Sequence, residues 1–375
     1  MRIAIDLTSL ADNFSGIERY ALNIALELLK QDEKNQYDLI FKNQIFPSFD
    51  CYREAAYADR IFFHVLKGGN KLIFNQWTLP VYMRKMKADW YLFLAFPIPV
   101  MLHKKNMITT IHDLACWDCP GTMKKHMEWY FKLSHITQAR KARYILTISE
   151  FSKERIQKVL KVSDKKMRII YCGLSENFLH PQKLDLEVIR EKYHLPEDYL
   201  LCLSTLEPRK NMQLLLKAYE SLYREGKIRR PLVLAGRKGW KIEQMLTEIQ
   251  EHGEIPVTVT GFIEDEDLPA IYEMAKCFVF PSIYEGFGIP PLEAMAMGVP
   301  VISSDSSCLP EILGDGAIYF RDQDEEDLKR KILELENGTI DIQEKKQQSM
   351  ERCSAFIYAQ EVKKLRETID WQVHS

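Results

Sequence analysis

No stretch of eighteen uncharged apolar residues occurs in this chain, and that absence excludes a membrane-spanning helix. Glycine and proline are sparse, at 16 each in 375 residues. Together with the lack of a low-complexity tract or an internal repeat, this excludes collagen-like, disordered and solenoid architectures. The opening Met-Arg-Ile-Ala-Ile-Asp meets an acid at position 6, so it reads as a buried strand and not as a signal peptide. Cys116 and Cys119 have C-x-x-C spacing, but no second pair completes a zinc tetrad. The other cysteines are scattered, several inside apolar runs such as Leu201-Cys202-Leu203. That usage fits a reduced, cytoplasmic protein without a structural metal. No Gly-x-Gly-x-x-Gly follows the first strand, which argues against a nicotinamide dehydrogenase. No recognition motif for nucleic acid accompanies the basic residues.

What is present is a balanced globular composition, 46% hydrophobic and 28% charged. The length suits two domains better than one. The net charge of −2 hides an asymmetry. Residues 1–180 hold 27 Lys and Arg against 18 Asp and Glu, whereas the remainder holds 24 against 35. A basic first half implies an anionic partner.

Short apolar strands alternate with amphipathic helices almost throughout. The first series includes strands at Arg2–Leu7, Asp38–Phe41, Arg60–Val65, Trp90–Leu94, Met107–Ile111, Tyr144–Ile148 and Met167–Tyr171. The second includes Leu200–Ser204, Leu232–Ala235, Val257–Thr260, Phe278–Pro281, Val299–Ser303 and Ala317–Phe320. The pattern predicts helices at Gly16–Lys30, Lys124–Lys141, Phe151–Leu160, Met212–Arg224, Glu264–Ala275, Pro291–Met297 and Glu325–Glu336. Such alternation implies parallel sheets covered on both faces, an α/β chain of two doubly wound domains. The expected domains are 1–178 and 190–357. A final helical segment, Gln343–Val373, can pack on its own domain or, through 358–375, cross back to the first.

Ligands of open parallel sheets bind at the carboxyl ends of strands, so the loops there carry the candidate chemistry. Tyr284-Glu-Gly-Phe-Gly-Ile-Pro-Pro-Leu-Glu293 joins a strand to a helix. Gly286 and Gly288 permit close backbone approach, and Pro290 and Pro291 suit a first helical turn. The amides of Phe287, Gly288 and Ile289 can then face an anion. Glu285 and Glu293 bracket this position. A carboxylate repels phosphate, so their expected partners are hydroxyl groups beside it, as in a nucleotide-sugar. An ordinary strand–loop–helix turn is the alternative. Arg209 and Lys210 also follow a strand and precede a helix, where a diphosphate would be held by a fork and a point charge; a solvated pair is the alternative. His112, at the end of Met107–Ile111, can bond a sugar hydroxyl or the transferring oxygen, while Asp113 can cap a turn. Gly16 opens the first helix. The Asp-x-Asp pairs at 265–267 and 322–324 read as helix caps and not as metal sites.

Taken together these residues resemble glycosyltransferase family 4. The resemblance rests on Glu285-x7-Glu293 with its Gly-Phe-Gly-Ile-Pro core, on Glu207-Pro-Arg-Lys-Asn211, Ile111-His-Asp-Leu114 and Thr147-Ile-Ser-Glu-Phe-Ser152. It extends to Val259-Thr-Gly-Phe-Ile263 and Pro300-Val-Ile-Ser303, and so covers nearly the whole chain. It implies the GT-B fold, two facing Rossmann-like domains with a cleft between them. It also implies retaining, metal-independent transfer from a nucleotide-sugar, with no bound cofactor. By the same resemblance Arg209 and Lys210 hold the diphosphate and Glu293 the ribose. Glu285 and the amides near Gly288 hold the sugar, His112 lies beside it, and Gly16 approaches the phosphates. The family's first loop is commonly glycine-rich, whereas Gly16 stands alone here.

Residues 51–180 carry 22 Lys and Arg against 10 Asp and Glu, with aromatics interleaved at 83–87 and 123–132. That suits a peripheral enzyme at an anionic membrane surface, facing the cytoplasm and extending a lipid-linked or lipopolysaccharide-type glycan; a basic solvated face is the alternative. The expected function is therefore transfer of a hexosyl group, with a lean to GDP-mannose. The competing readings are a non-catalytic sugar-nucleotide-binding subunit of the same fold, an epimerase, or a glycogen-synthase-like enzyme.

Overall fold

The computed structural model describes residues 1–10, 15–237, 239 and 255–370. The described chain clusters into two compact units. One is built from residues up to 118, from 124–173 and from the last helix; the other from 119–123 and 174–356.

The first unit holds a seven-stranded parallel sheet in the order β3-β2-β1-β4-β5-β6-β7. Its strands are β1 (Arg2–Asp6), β2 (Gln36–Lys42), β3 (Ile61–Leu66), β4 (Trp90–Phe93), β5 (Met107–Thr110), β6 (Tyr144–Thr147) and β7 (Met167–Ile169). Ile3 of β1 stands level with Tyr37 on one side and Trp90 on the other. The central strands are buried on both faces, which is why they read as continuous apolar runs. Helix α1 (Gly16–Gln31) lays Tyr20, Ala21, Ile24, Ala25 and Leu28 against the core. The spacing of three and four residues puts them on one face.

The second unit repeats the pattern with six strands in the order β10-β9-β8-β11-β12-β13. These are β8 (Tyr199–Leu203), β9 (Leu232–Ala235), β10 (Val257–Gly261), β11 (Ala275–Phe280), β12 (Val301–Ser304) and β13 (Ala317–Phe320). Its core gathers Leu200, Cys202, Leu215, Tyr219, Leu234, Val279 and Ile302. At β9 the chain turns through Gly236 with φ 127°, where a Cβ would lie 2.0 Å from the Ser204 carbonyl oxygen. Only glycine lets the loops after β8 and β9 approach so closely.

Three expectations need correction. The helix expected at Glu264–Ala275 spans only Leu268–Glu273. Asp267 stands at its start without capping it, and accepts instead from Lys192 Nζ at 2.6 Å and the Tyr193 hydroxyl at 2.7 Å. Asp324, by contrast, does cap the helix Glu325–Glu336, accepting from the Asp327 amide at 2.9 Å. Last, the C-terminal segment is two helices, Ile342–Cys353 and Tyr358–Asp370. The break lets Phe356 bury itself and its carbonyl accept from the Leu174 amide at 3.0 Å. The second of these helices belongs to the first unit. Gln31 Nε2 donates to the Ala359 carbonyl at 2.8 Å, and the Tyr171 amide to Glu361 at 2.9 Å. The part of the segment beyond residue 370 lies outside the described residues, as do residues 11–14 of the first loop.

Candidate active site

Strands β8 and β11 are neighbours, and both leave the second sheet at its carboxyl edge. The loop after β8 makes a tight turn at Pro208–Lys210 and reverses at Asn211, whose φ is 52°. That turn sets Arg209 and Lys210 side by side at the strand's end. The loop after β11 runs against it. The Ile283 amide donates to the Arg209 carbonyl at 3.0 Å, and the Ser282 hydroxyl to the same oxygen at 3.3 Å.

Glu285 enters between the two cations. Lys210 Nζ donates to its Oε1 at 2.5 Å and Arg209 Nη1 to its Oε2 at 3.3 Å. Arg209 also donates to the Tyr284 carbonyl at 2.6 Å and, through Nη2, to Glu207 Oε1 at 2.8 Å. Two cations and two carboxylates thus share one largely buried corner. Burial pushes the Glu285 carboxyl up, but the Lys210 and Arg209 charges more than offset this and hold it below the usual carboxylate value. Its backbone is also pinned: the Glu285 amide donates to Ser307 Oγ at 2.9 Å, and Cys308 Sγ to its carbonyl at 3.2 Å.

Three residues later Gly288 turns the chain into the helix Ile289–Ala296. Its φ is 97°, and a Cβ there would lie 2.8 Å from Leu309 Cδ2, so backbone and space both demand glycine. The helix begins two residues earlier than Pro291. Pro290 and Pro291 fall in its first turn and carry no amide hydrogen. The outward donors of this terminus are therefore the amides at Gly288 and Ile289. Phe287 anchors the turn, its ring meeting Phe356 edge-on with centroids 5.4 Å apart. Glu293 lies buried one turn into the helix, where its Oε2 accepts from the Tyr272 hydroxyl at 3.0 Å.

The remaining two candidates belong to the first unit. His112 follows β5, and its Nε2 lies 2.9 Å from the Leu94 carbonyl. A carbonyl only accepts, so Nε2 carries the hydrogen and Nδ1 is an acceptor. Burial pushes the imidazole pKa down, which keeps it neutral. Tyr20 meets its ring edge-on at 5.1 Å, and Tyr20 lies one turn into the helix that Gly16 opens. Gly16 is exposed, with Ser15 capping the helix and its amide donating to Glu18 at 3.1 Å. Asp113 accepts from the Ala115 amide at 2.8 Å, the turn-capping role.

The structure thus gathers Arg209, Lys210 and Glu285 in contact, with Gly288 three residues away, all on the second unit. Glu207 and Ser307, which position this group, and Tyr272, which holds Glu293, are not among the residues the sequence pattern singles out. Glu207 had a signal, an acid two residues before the Arg-Lys pair in the quoted Glu-Pro-Arg-Lys-Asn run. Ser307 and Tyr272 act across tertiary contacts that no local pattern announces.

Comparison with known proteins covers the same two halves. Residues 14–178 match the model for Glycosyltransferase Family 4, and residues 186–354 the model for Glycosyl transferases group 1. The chain is 35% identical over 233 residues to O-antigen chain mannosyltransferase B of Escherichia coli, a match spanning 61% of each protein. It is 28% identical over 234 residues to O-antigen chain mannosyltransferase RfbU of Salmonella typhimurium, covering 62% of this chain and 61% of that one. The matched part is thus under two thirds of these relatives' length. Among solved structures, sucrose-phosphate synthase from Thermosynechococcus elongatus superposes with a TM-score of 0.75 at 18% identity, covering 100% of this chain and 99% of that one. HepE of Anabaena, solved in complex with UDP, gives 0.69 at 15% identity over 98% of this chain and 99% of that one. The fold is GT-B, with two Rossmann-like domains.

Proposed function

We propose that this chain, which belongs to the glycosyltransferases whose halves carry the family 4 and group 1 domains, transfers a hexosyl group from a nucleotide-sugar to a growing glycan. The observation that carries the reading is the Arg209–Lys210–Glu285 cluster beside the Gly288 turn. As the sugar leaves, the nucleoside diphosphate gains negative charge. Arg209 and Lys210 neutralise that charge, and the amides at Gly288 and Ile289 add dipole stabilisation. Glu285 has two duties. It holds both cations in place before the donor arrives, and it accepts from a donor-sugar hydroxyl. Glu293 accepts from the ribose, and Phe287 fixes the turn that aims these groups. On the first unit, His112 offers Nδ1 to a hydroxyl of the sugar, and Gly16 approaches the phosphates. Transfer retains the anomeric configuration, with the leaving phosphate taking the acceptor proton, so no protein nucleophile is required. It proceeds without a metal, and activity survives a chelator.

The names of the O-antigen mannosyltransferase relatives favour mannose as the sugar and a cell-surface polysaccharide as the product; within this proposal the donor is GDP-mannose and the acceptor is lipid-linked, reached from the cytoplasmic face of the membrane. A panel of GDP-, UDP- and dTDP-sugars tests the donor. GDP-mannose should raise the melting temperature most, because it binds the folded state, and should yield free GDP on transfer. A panel in which no nucleotide-sugar shifts the melting transition or releases its nucleotide overturns the proposal. Binding without transfer, across several acceptors, would favour the non-catalytic reading.

A further inference from the structure

The exposed apolar residues of the first unit are not scattered. The segment 71–85 is continuously helical, with a π-type turn at Phe74–Thr78 leading into Leu79–Lys85. Phe74, Leu79 and Met83 face the core. Ile73, Trp77 and Val81 are 62%, 61% and 54% exposed. The wider turn keeps these residues, four apart, on one outward ridge. A helix apolar on both sides expects a second apolar neighbour.

The helix Lys125–Lys141 also turns apolar residues outward, here with polar ones buried in their place. It buries Ser134, Thr137 and Gln138 and leaves Trp129 75% and Leu133 58% exposed. Gln138 makes its burial tolerable by donating to Thr109 Oγ1 at 2.7 Å. Hydrogen bonds join the two helices and the loop after Pro99. Gln76 Nε2 donates to the Tyr130 hydroxyl at 3.4 Å, the Val100 amide to Gln76 Oε1 at 2.9 Å, and Arg84 Nη2 to the Met101 carbonyl at 2.8 Å. Val100 and Met101 are themselves exposed, so the apolar surface continues across all three segments.

Charge decides the partner. Residues 71–87, 99–106 and 124–141 hold eleven Lys and Arg and a single acid, Glu128. Glu128 is already paired with Lys132 at 2.6 Å. A second copy docking through the same patch would bring like charges together. An anionic bilayer offers the complement: tryptophans and aliphatic side chains enter the interfacial region while Lys and Arg meet the headgroups. We infer that the surface formed by segment 71–85, the loop 99–103 and the helix Lys125–Lys141 is a docking face for an anionic lipid bilayer. This deepens the proposed function by naming where the enzyme would meet a lipid-linked acceptor, and it rests on that reading for its purpose.

The test is flotation of the full chain with phosphatidylcholine vesicles, with and without phosphatidylglycerol. The protein should float with the anionic vesicles and stay behind with the neutral ones. Recovery should fall steeply at ionic strength near 1 M, where screening acts within about 3 Å. Trp77→Ser combined with Trp129→Ser should lower recovery by about tenfold. Lys85→Glu combined with Lys87→Glu should do the same without touching the aromatics. Melting curves and the nucleotide-induced thermal shift, read on every variant, should match the unsubstituted protein. Equal flotation with both vesicle types, variants that float unchanged, or a dimer that the tryptophan substitutions dissolve would each overturn the docking face. A chain that floats but binds no nucleotide-sugar keeps the docking face and overturns the proposed function. One that binds nucleotide-sugar but does not float does the reverse.

Discussion

The two units share a strand order and differ in where they keep their charge. Strands β3-β2-β1-β4-β5-β6 and β10-β9-β8-β11-β12-β13 follow one scheme. In the second unit the carboxyl ends of the two central strands carry Glu207, Arg209, Lys210 and Glu285, largely buried and mutually paired. In the first unit two described groups at the corresponding edge are instead shifted by burial. His112 is held uncharged by burial, and Asp6, buried at the end of β1, has its carboxyl pushed up to about 6. The first unit's cations lie outside, around exposed apolar residues. One scaffold therefore supports two chemistries: a fixed electrostatic site on one copy, and on the other burial-shifted groups at the strand ends with a basic, apolar exterior.

The comparison breaks most visibly at Glu285. Glu285→Ala leaves Arg209 and Lys210 without their shared carboxylate in a buried corner. Removing one partner of such a group costs about 3–5 kcal/mol. Turnover should fall by about a thousandfold, from lost sugar contact and displaced cations together. Lys210→Gln, which leaves Arg209 beside Glu285, should lower turnover by about a hundredfold and raise KM for the donor. Transfer assays and thermal melts on both variants check this. A Lys210→Gln enzyme with full activity removes the phosphate assignment.

Gly288→Ala is next in size. The φ of 97° and the contact with Leu309 should cost about 1–3 kcal/mol and weaken donor binding through the displaced turn. Adding Leu309→Ala relieves the clash but not the backbone strain, so recovery should be partial. In the first unit, His112→Asn should lower turnover by about tenfold to a hundredfold while costing only about 1 kcal/mol, the scale of its bond to Leu94. Large activity loss with little stability loss there, set against combined loss at Glu285, would sharpen the contrast between the units.

Much of this was legible in the sequence because the physics is local. Adjacent cations directly after an apolar strand stand out, as does a turn of glycines followed by two prolines. Leu232–Ala235, Met212–Arg224 and Glu325–Glu336 lie where their periodicity places them. What was not legible depends on distant partners. Pairing of Glu285 with both cations joins residues 75 and 76 positions apart. The helix break before Tyr358 has no proline or glycine and exists because Phe356 packs on Phe287. The polar buried face of Lys125–Lys141 depends on Thr109, a strand away.

Acid should separate the units by a smaller margin. Burial pushes His135 down to about 4 and lowers His112 as well, so the folded first unit binds fewer protons than its unfolded chain once pH falls below the ordinary histidine value of 6.5. That stability is present above 6.5 and is lost as pH falls toward the folded values. Asp6 works the other way. Its raised carboxyl takes up a proton more readily when folded, so acidification through about 6 stabilises the fold at that site. Glu285, held low, contributes stability above the ordinary value of 4.5 and loses it only as pH falls through its depressed folded value. Between pH 6.5 and 4.5 the strain of acidification therefore falls on the first unit, with Asp6 partly offsetting the histidines. Hydrogen exchange at β1 and β8 reads the two units separately. Protection should fall first at β1, more steeply in Asp6→Asn and less steeply in His135→Gln, while β8 holds until below pH 4.5. Loss at β8 first, or no change of slope in either variant, would mean that the buried ionisable groups do not set the order in which the two units yield.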